Sequence, residues 1–187
     1  MTQPGSSRIA IVVGRKKSGK STLVRLGLAK RPRWIVWDLR GEYASVPGSR
    51  LWRDVREFGA HVAGGGDIAR EVFACPVAQF EAWCRFAFNA GGLLVVIEEL
   101  GRYCSASFAP PFLLDLFDRS RHARLDLVCV SPRISGIPAS LRGQADELVT
   151  FRATSPPDLL QLRDWLGLRT AERVRRLAPH RFLRLQT

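Results

Sequence analysis

The amino-acid sequence predicts an α/β fold of three layers, with a mostly parallel central sheet flanked by helices. Three observations carry this prediction. Short apolar runs of strand length recur along the 187 residues, helical segments separate them, and the first run feeds a glycine-containing loop that opens a helix. Strands alternating with helices imply βαβ crossovers, and therefore parallel strands buried on both faces.

IAIVV at 9–13 is a β-branched run suited to a buried strand, and a helix is expected over 20–29, ended by Pro32. WIVWD at 34–38 reads as the second strand. The stretch 39–66 mixes glycine, proline and charge, with a short helix at 53–58 and a turn at the glycines 64–66. Residues 71–74 read as an edge strand. Over 77–88, Val77, Phe80, Trp83, Cys84 and Ala87 fall on one helical face. LLVVI at 93–97 is the most strand-like segment of all. A helix over 111–121 follows a double proline suited to a first turn, and LVCV at 127–130 is the next strand. Then come a short helix at 138–142, the strand LVTF at 148–151, and a helix capped by Ser155 and ended at Gly167. A helix over 170–177 and a strand over 181–185 complete the chain. Residues 1–7 are expected to fray and 8–187 to form a single domain, since no repeat or linker divides them.

A hydrophobic fraction of 46% with 25% charged residues belongs to an ordinary globular protein and excludes disorder as the default. The segment MTQPGSSR lacks the features of a secretory signal, and the longest apolar run is far short of a membrane span, so the chain is expected in the cytoplasm. Cys75, Cys84, Cys104 and Cys129 are scattered without CxxC spacing, which argues against zinc and for small buried apolar residues. The net charge of +12 is uneven: nine Lys or Arg and no acid precede Asp38, and seven arginines from Arg163 onward face Asp164 and Glu172. Such an excess favours a polyanionic partner, with nucleic acid ahead of a merely Arg-rich composition.

The chemistry is concentrated in two places. Gly14, Arg15, Lys16, Lys17, Ser18, Gly19, Lys20 and Ser21 match G-x-x-x-x-G-K-[ST] completely, between an apolar strand and a helix. The glycines let successive N–H groups turn toward phosphate oxygens, and the helix that follows adds its dipole. Lys20 is expected on the β- and γ-phosphates, the Ser21 hydroxyl on Mg²⁺, and Thr22 beside them in the nucleotide site. The fold expected is thus a three-layer P-loop NTPase with ATP and Mg²⁺ as ligands. The second place is Glu98-Glu99, two carboxylates where a hydrophobic strand stops. Glu98 is expected to hold the metal through its water and Glu99 to orient and polarise the attacking water, the pair being firmer than the order within it.

Taken with WDLRGEY at 37–43, DRSRHARLDLVCVSPR at 118–133 and QADELVTFRATSPPDLLQL at 144–162, these motifs resemble HerA/FtsK-type ATPases, most of all the compact genome-packaging ATPases of membrane-containing double-jelly-roll viruses. The resemblance covers about residues 8–162. It implies a homo-oligomeric ring, usually a hexamer, that moves double-stranded DNA, with a capsid or membrane-vertex protein as a further partner and virion association as a further location. It places Asp38 and Glu42 near the active site or subunit seam. It also implies an arginine that reaches a neighbour's γ-phosphate, with Arg121 first choice, then Arg119, and Arg124 close by. One departure concerns the Thr-Gln pair that senses the γ-phosphate in relatives: Ser131-Pro132 stand there, with Arg133 or Gln144 as substitutes for the glutamine. The other readings open at this point are a small-molecule kinase, a GTP-binding switch without an N/TKxD string, a non-hydrolysing DNA-binding scaffold, and a DNA export or conjugation ATPase.

Overall fold

The computed structural model describes residues 7–187; the expectation for residues 1–6 lies outside the described residues. Eight strands form one sheet, β1 (Ile9–Val13), β2 (Trp34–Trp37), β3 (Arg50–Trp52), β4 (Arg70–Phe73), β5 (Leu94–Ile97), β6 (Asp126–Ser131), β7 (Glu147–Phe151) and β8 (Phe182–Gln186), in the order β3-β4-β2-β5-β6-β1-β7-β8. All pairings are parallel except β7 with β8, which is antiparallel. The helices are α1 (Lys20–Leu28), α2 (Val55–Ala63), α3 (Phe80–Ala90), α4 (Pro111–Asp118), α5 (Ala139–Arg142), α6 (Pro156–Leu166) and α7 (Leu168–Arg175).

The period-2 alternation of each strand divides the core in two. One face, with Ile11, Trp37, Ile97 and Cys129, packs under Phe58 of α2, Trp83 of α3, Phe117 of α4 and Val174 of α7. The other face, with Val12, Val36, Val96 and Val130, packs under Val24 and Leu28 of α1 and Tyr43 of the following turn. The three layers are thus unequal, with α1 the one α-helix among the described residues that contributes to the second core. All four cysteines are buried and free. Burial pushes the Cys75 and Cys104 thiols up to about 11, so both are poor nucleophiles near neutral pH.

Two expectations need correction. The strand expected at the sheet edge, β4, lies inside, because the unforeseen β3 pairs along it and takes the edge. β3 has three residues in a stretch of glycine, proline and charge, so no alternation announces it. What holds it is polar: Glu71 is fully buried, accepts from Arg50 Nε at 3.1 Å and from the Trp52 indole at 2.7 Å, and takes the Ala69 N–H at 3.0 Å. Replacing Glu71 with alanine strands these donors and is expected to cost about 3 kcal/mol, read from the denaturant midpoint. The second correction concerns Ser155, which occupies the N-cap of α6 but makes no capping hydrogen bond. A cap oxygen accepts from the second or third helical N–H, and the prolines at 156–157 remove the nearer donor.

Candidate active site

Because β1, β2, β5, β6 and β7 run parallel, their carboxyl ends share one edge, where ligands of open α/β sheets bind. Register sets the neighbours: Val13 lies beside Ser131, and Ile97 beside Cys129. One strand, β6, therefore separates the loop after β1 from the acids after β5. The loop approaches β6 closely, with the Gly14 N–H bonded to the Ser131 carbonyl at 3.3 Å.

The loop is shaped for an anion. A Cβ on Gly14 would sit 2.7 Å from the Phe151 Cβ and 2.8 Å from the Ser18 hydroxyl, so only glycine lets the backbone lie that close. Lys17 (φ 64°) and Gly19 (φ 107°) take left-handed conformations that turn successive N–H groups inward. At α1 the N-cap is Gly19, no side chain caps the helix and no acid occupies its first turn. α2 is the contrast, with Asp54 accepting the Arg56 N–H at 2.7 Å. The first N–H groups of α1 are thus left for a phosphate. The Ser18 hydroxyl is buried without a protein partner.

Lys20 donates to the carbonyls of Gly14 at 2.6 Å and Arg15 at 3.1 Å. Burial lowers its pKa, opposed by the charges of Glu98 and Glu99. The Ser21 hydroxyl lies 3.3 Å from Glu98 Oε1. Two ligand oxygens on adjacent corners of a Mg²⁺ octahedron stand about 3 Å apart, so this pair fits that ion. Glu98 is partly buried, which raises its pKa, while the Tyr43 hydroxyl, the Glu99 N–H and Lys20 act in the opposite sense. Tyr43 donates its hydroxyl to Glu98, and burial followed by the Glu98 charge pushes the phenol's own pKa far up, so it stays a donor. Asp38 accepts the N–H groups of Arg40 at 3.0 Å and Tyr43 at 3.1 Å, fixing the turn that delivers Tyr43. Replacing Tyr43 with phenylalanine is expected to raise the Mg²⁺ requirement about tenfold, measured by titrating the ion against nucleotide binding.

Glu99 differs from its neighbour. It adopts φ 51°, pairs with Arg102, and lies 3.6 Å from Arg40 Nη2. These groups line a cleft of about 580 Å³ together with Lys16, Lys17, Ser18, Gly19, Thr22, Asp38, Glu42, Ser131 and His180. Of the predicted residues, Lys20, Ser21, Glu98 and Glu99 are brought together. Arg119 and Arg121 are not. Arg119 sits over the Phe88 ring at 4.6 Å and pairs with Asp115, and Arg121 pairs with Asp146 at 3.1 Å. Asp146 also accepts the Ile9 N–H at 2.8 Å, which puts Arg121 at the opposite, amino edge of the sheet. Gln144 lies at that edge too, bound to Asp118. The Ser131 hydroxyl is turned back onto the Arg133 carbonyl at 2.8 Å. The sequence assigns no role to Tyr43, Arg40, Arg102 or His180, although Arg40 and Tyr43 stand in the WDLRGEY block; none of the four belongs to the phosphate loop or the acidic pair.

Fold and site together define a P-loop NTPase. A family model described as Zonular occludens toxin (Zot) matches residues 8–155, and the chain belongs to that family. No curated protein matches it. Among solved structures it is similar to the genome packaging NTPase B204 from Sulfolobus turreted icosahedral virus 2 in complex with AMPPCP, with 22% identity, TM-score 0.81, 96% of this chain and 92% of that one covered. It is also similar to the N-terminal domain of zonular occludens toxin from Neisseria meningitidis, with 14% identity, TM-score 0.55, and 84% and 90% covered. The pCW3 conjugation coupling protein TcpA gives 14% identity, TM-score 0.64, 97% of this chain and 58% of that one. No helix among the described residues is long and apolar enough to cross a membrane.

Proposed function

We propose that this protein is a Mg²⁺-dependent ATPase that moves double-stranded DNA, with genome packaging into a preformed capsid as its setting. The observation that carries the catalytic part is the convergence of Lys20, Ser21, Glu98 and Glu99 on one sheet edge, with Ser21 and Glu98 oxygens 3.3 Å apart. Ser21 and Glu98 hold the metal, which when bound neutralises phosphate charge. Lys20 exchanges its two loop carbonyls for phosphate oxygens. Glu99 orients water for in-line attack and takes its proton. An arginine from an adjacent subunit completes the site, and the position of Arg121 on the opposite edge suits a residue that acts across a seam rather than on its own nucleotide.

The DNA part is supported by charge. Arg169, Arg173, Arg175 and Arg176 are exposed on and just beyond α7, and Arg15, Lys16 and Lys17 are exposed on the loop. Contacts of this kind address phosphates and give little sequence preference, with affinity falling steeply as salt rises. Packaging is favoured over conjugation because the similarity to the packaging NTPase spans nearly the whole of both chains, whereas TcpA is matched over 58% of its length. The test is ATP turnover with and without linear double-stranded DNA, on protein whose size in solution is measured. DNA-stimulated turnover by a ring is expected. Turnover by a monomer indifferent to DNA refutes the motor, and ADP release that requires an added acceptor makes the protein a kinase.

A further inference from the structure

We propose that His180 is the residue against which the nucleoside end of the bound nucleotide packs, its imidazole stacking on the base. This rests on the reading of the cleft as a triphosphate site and extends it to the end of the ligand that the loop does not touch. The argument begins with direction. Ser21 and Glu98 fix the metal-bound phosphates toward β5 and β6, on one side of β1. A nucleoside triphosphate is a linear ligand, so its base leaves toward the other side, where β7 and β8 lie.

β8 is antiparallel to β7 with Phe182 opposite Phe151, so the residues just before Phe182 stand beyond the carboxyl end of β7, on the ligand edge. His180 is one of them. It lines the same cleft as the loop, and a Cβ built on Gly19 would lie 3.7 Å from its Nδ1. The backbone is a second, independent observation. The Arg181 N–H closes a turn onto the Ala178 carbonyl at 3.1 Å, with Pro179 second and His180 third at φ 61°. The third position of such a turn favours glycine, and a histidine held in the left-handed region is strained. A strained, exposed aromatic ring over a phosphate loop is explained by a ligand surface. It is not explained by packing, because His180 is exposed.

The experiment measures Mg²⁺-dependent binding of ATP and of inorganic tripolyphosphate to the full chain, for wild type and for His180→Gly, His180→Ala and His180→Phe. Stacking on a base predicts that the glycine and alanine variants lose roughly tenfold in ATP affinity, that tripolyphosphate affinity stays as in wild type, and that phenylalanine retains ATP. The glycine variant, which relieves the turn, is expected to melt no lower than wild type, which separates lost contact from lost fold. Equal loss for both ligands places His180 on the phosphates and overturns the proposal, as does unchanged ATP affinity in all three variants. A wild-type chain that binds neither ligand overturns the underlying triphosphate reading instead.

Discussion

Replacing Lys20 with alanine is expected to lower ATP turnover by about a thousandfold while the fold survives. The amine is held by two loop carbonyls, and burial already lowers its pKa, so it sits in a place where charge is costly unless an anion shares it. Phosphoryl transfer asks little covalent chemistry of the protein. Positioning and charge stabilisation supply most of the rate, and an oriented cation at the transferring group is a large single part of both. Alanine removes that cation without touching Val24 or Leu28, the residues by which α1 packs on the sheet. Steady-state ADP release measures the loss, and the far-ultraviolet circular dichroism of the variant, unchanged from wild type, shows that it is not a folding defect. Turnover within tenfold of wild type would remove Lys20, and with it the phosphate loop, from the mechanism.

The contrast between what was legible in the sequence and what was not follows the range of the interactions. The phosphate loop was readable because the residues that shape it, Gly14, the left-handed Lys17 and Gly19, and the uncapped start of α1, fall within eight consecutive positions, although the close neighbour that Gly14 admits, Phe151, comes from β7. The acidic pair was readable because an apolar run simply stops there. The role of Tyr43 was not, although the residue stands in the WDLRGEY block, since its bond to Glu98 spans 55 residues and depends on the turn that Asp38 ties. The buried Glu71 cluster shows the same limit: Arg50 and Trp52 meet Glu71 only once β3 pairs with β4, and three residues carry no periodicity to announce that pairing. His180 left no signal because its place is set by the antiparallel register of β8 on β7.

Exchange of Glu99 for glutamine is expected to reduce turnover by about 10² to 10⁴ while leaving ATP bound, and the same exchange at Glu98 is expected to act first on Mg²⁺. The two carboxylates are adjacent in sequence, yet the structure gives them different surroundings. Glu98 faces Ser21 and takes the Tyr43 hydroxyl, in a partly buried position that suits a fixed metal ligand. Glu99 projects further out, its side chain 38% exposed, and its partners are the guanidiniums of Arg102 and Arg40 rather than a loop or core group. A base must exchange such partners for a water at the moment of reaction, whereas a metal ligand must not move. Glutamine keeps the shape of Glu99 and its capacity for hydrogen bonds but cannot accept the proton, so binding and chemistry separate. Nucleotide binding and single-turnover hydrolysis, each measured across a Mg²⁺ titration, distinguish the roles. If Glu99→Gln shifts the Mg²⁺ midpoint and Glu98→Gln stops hydrolysis at saturating Mg²⁺, the assignments are reversed; the pair still serves one site, but the outer carboxylate is then the ligand.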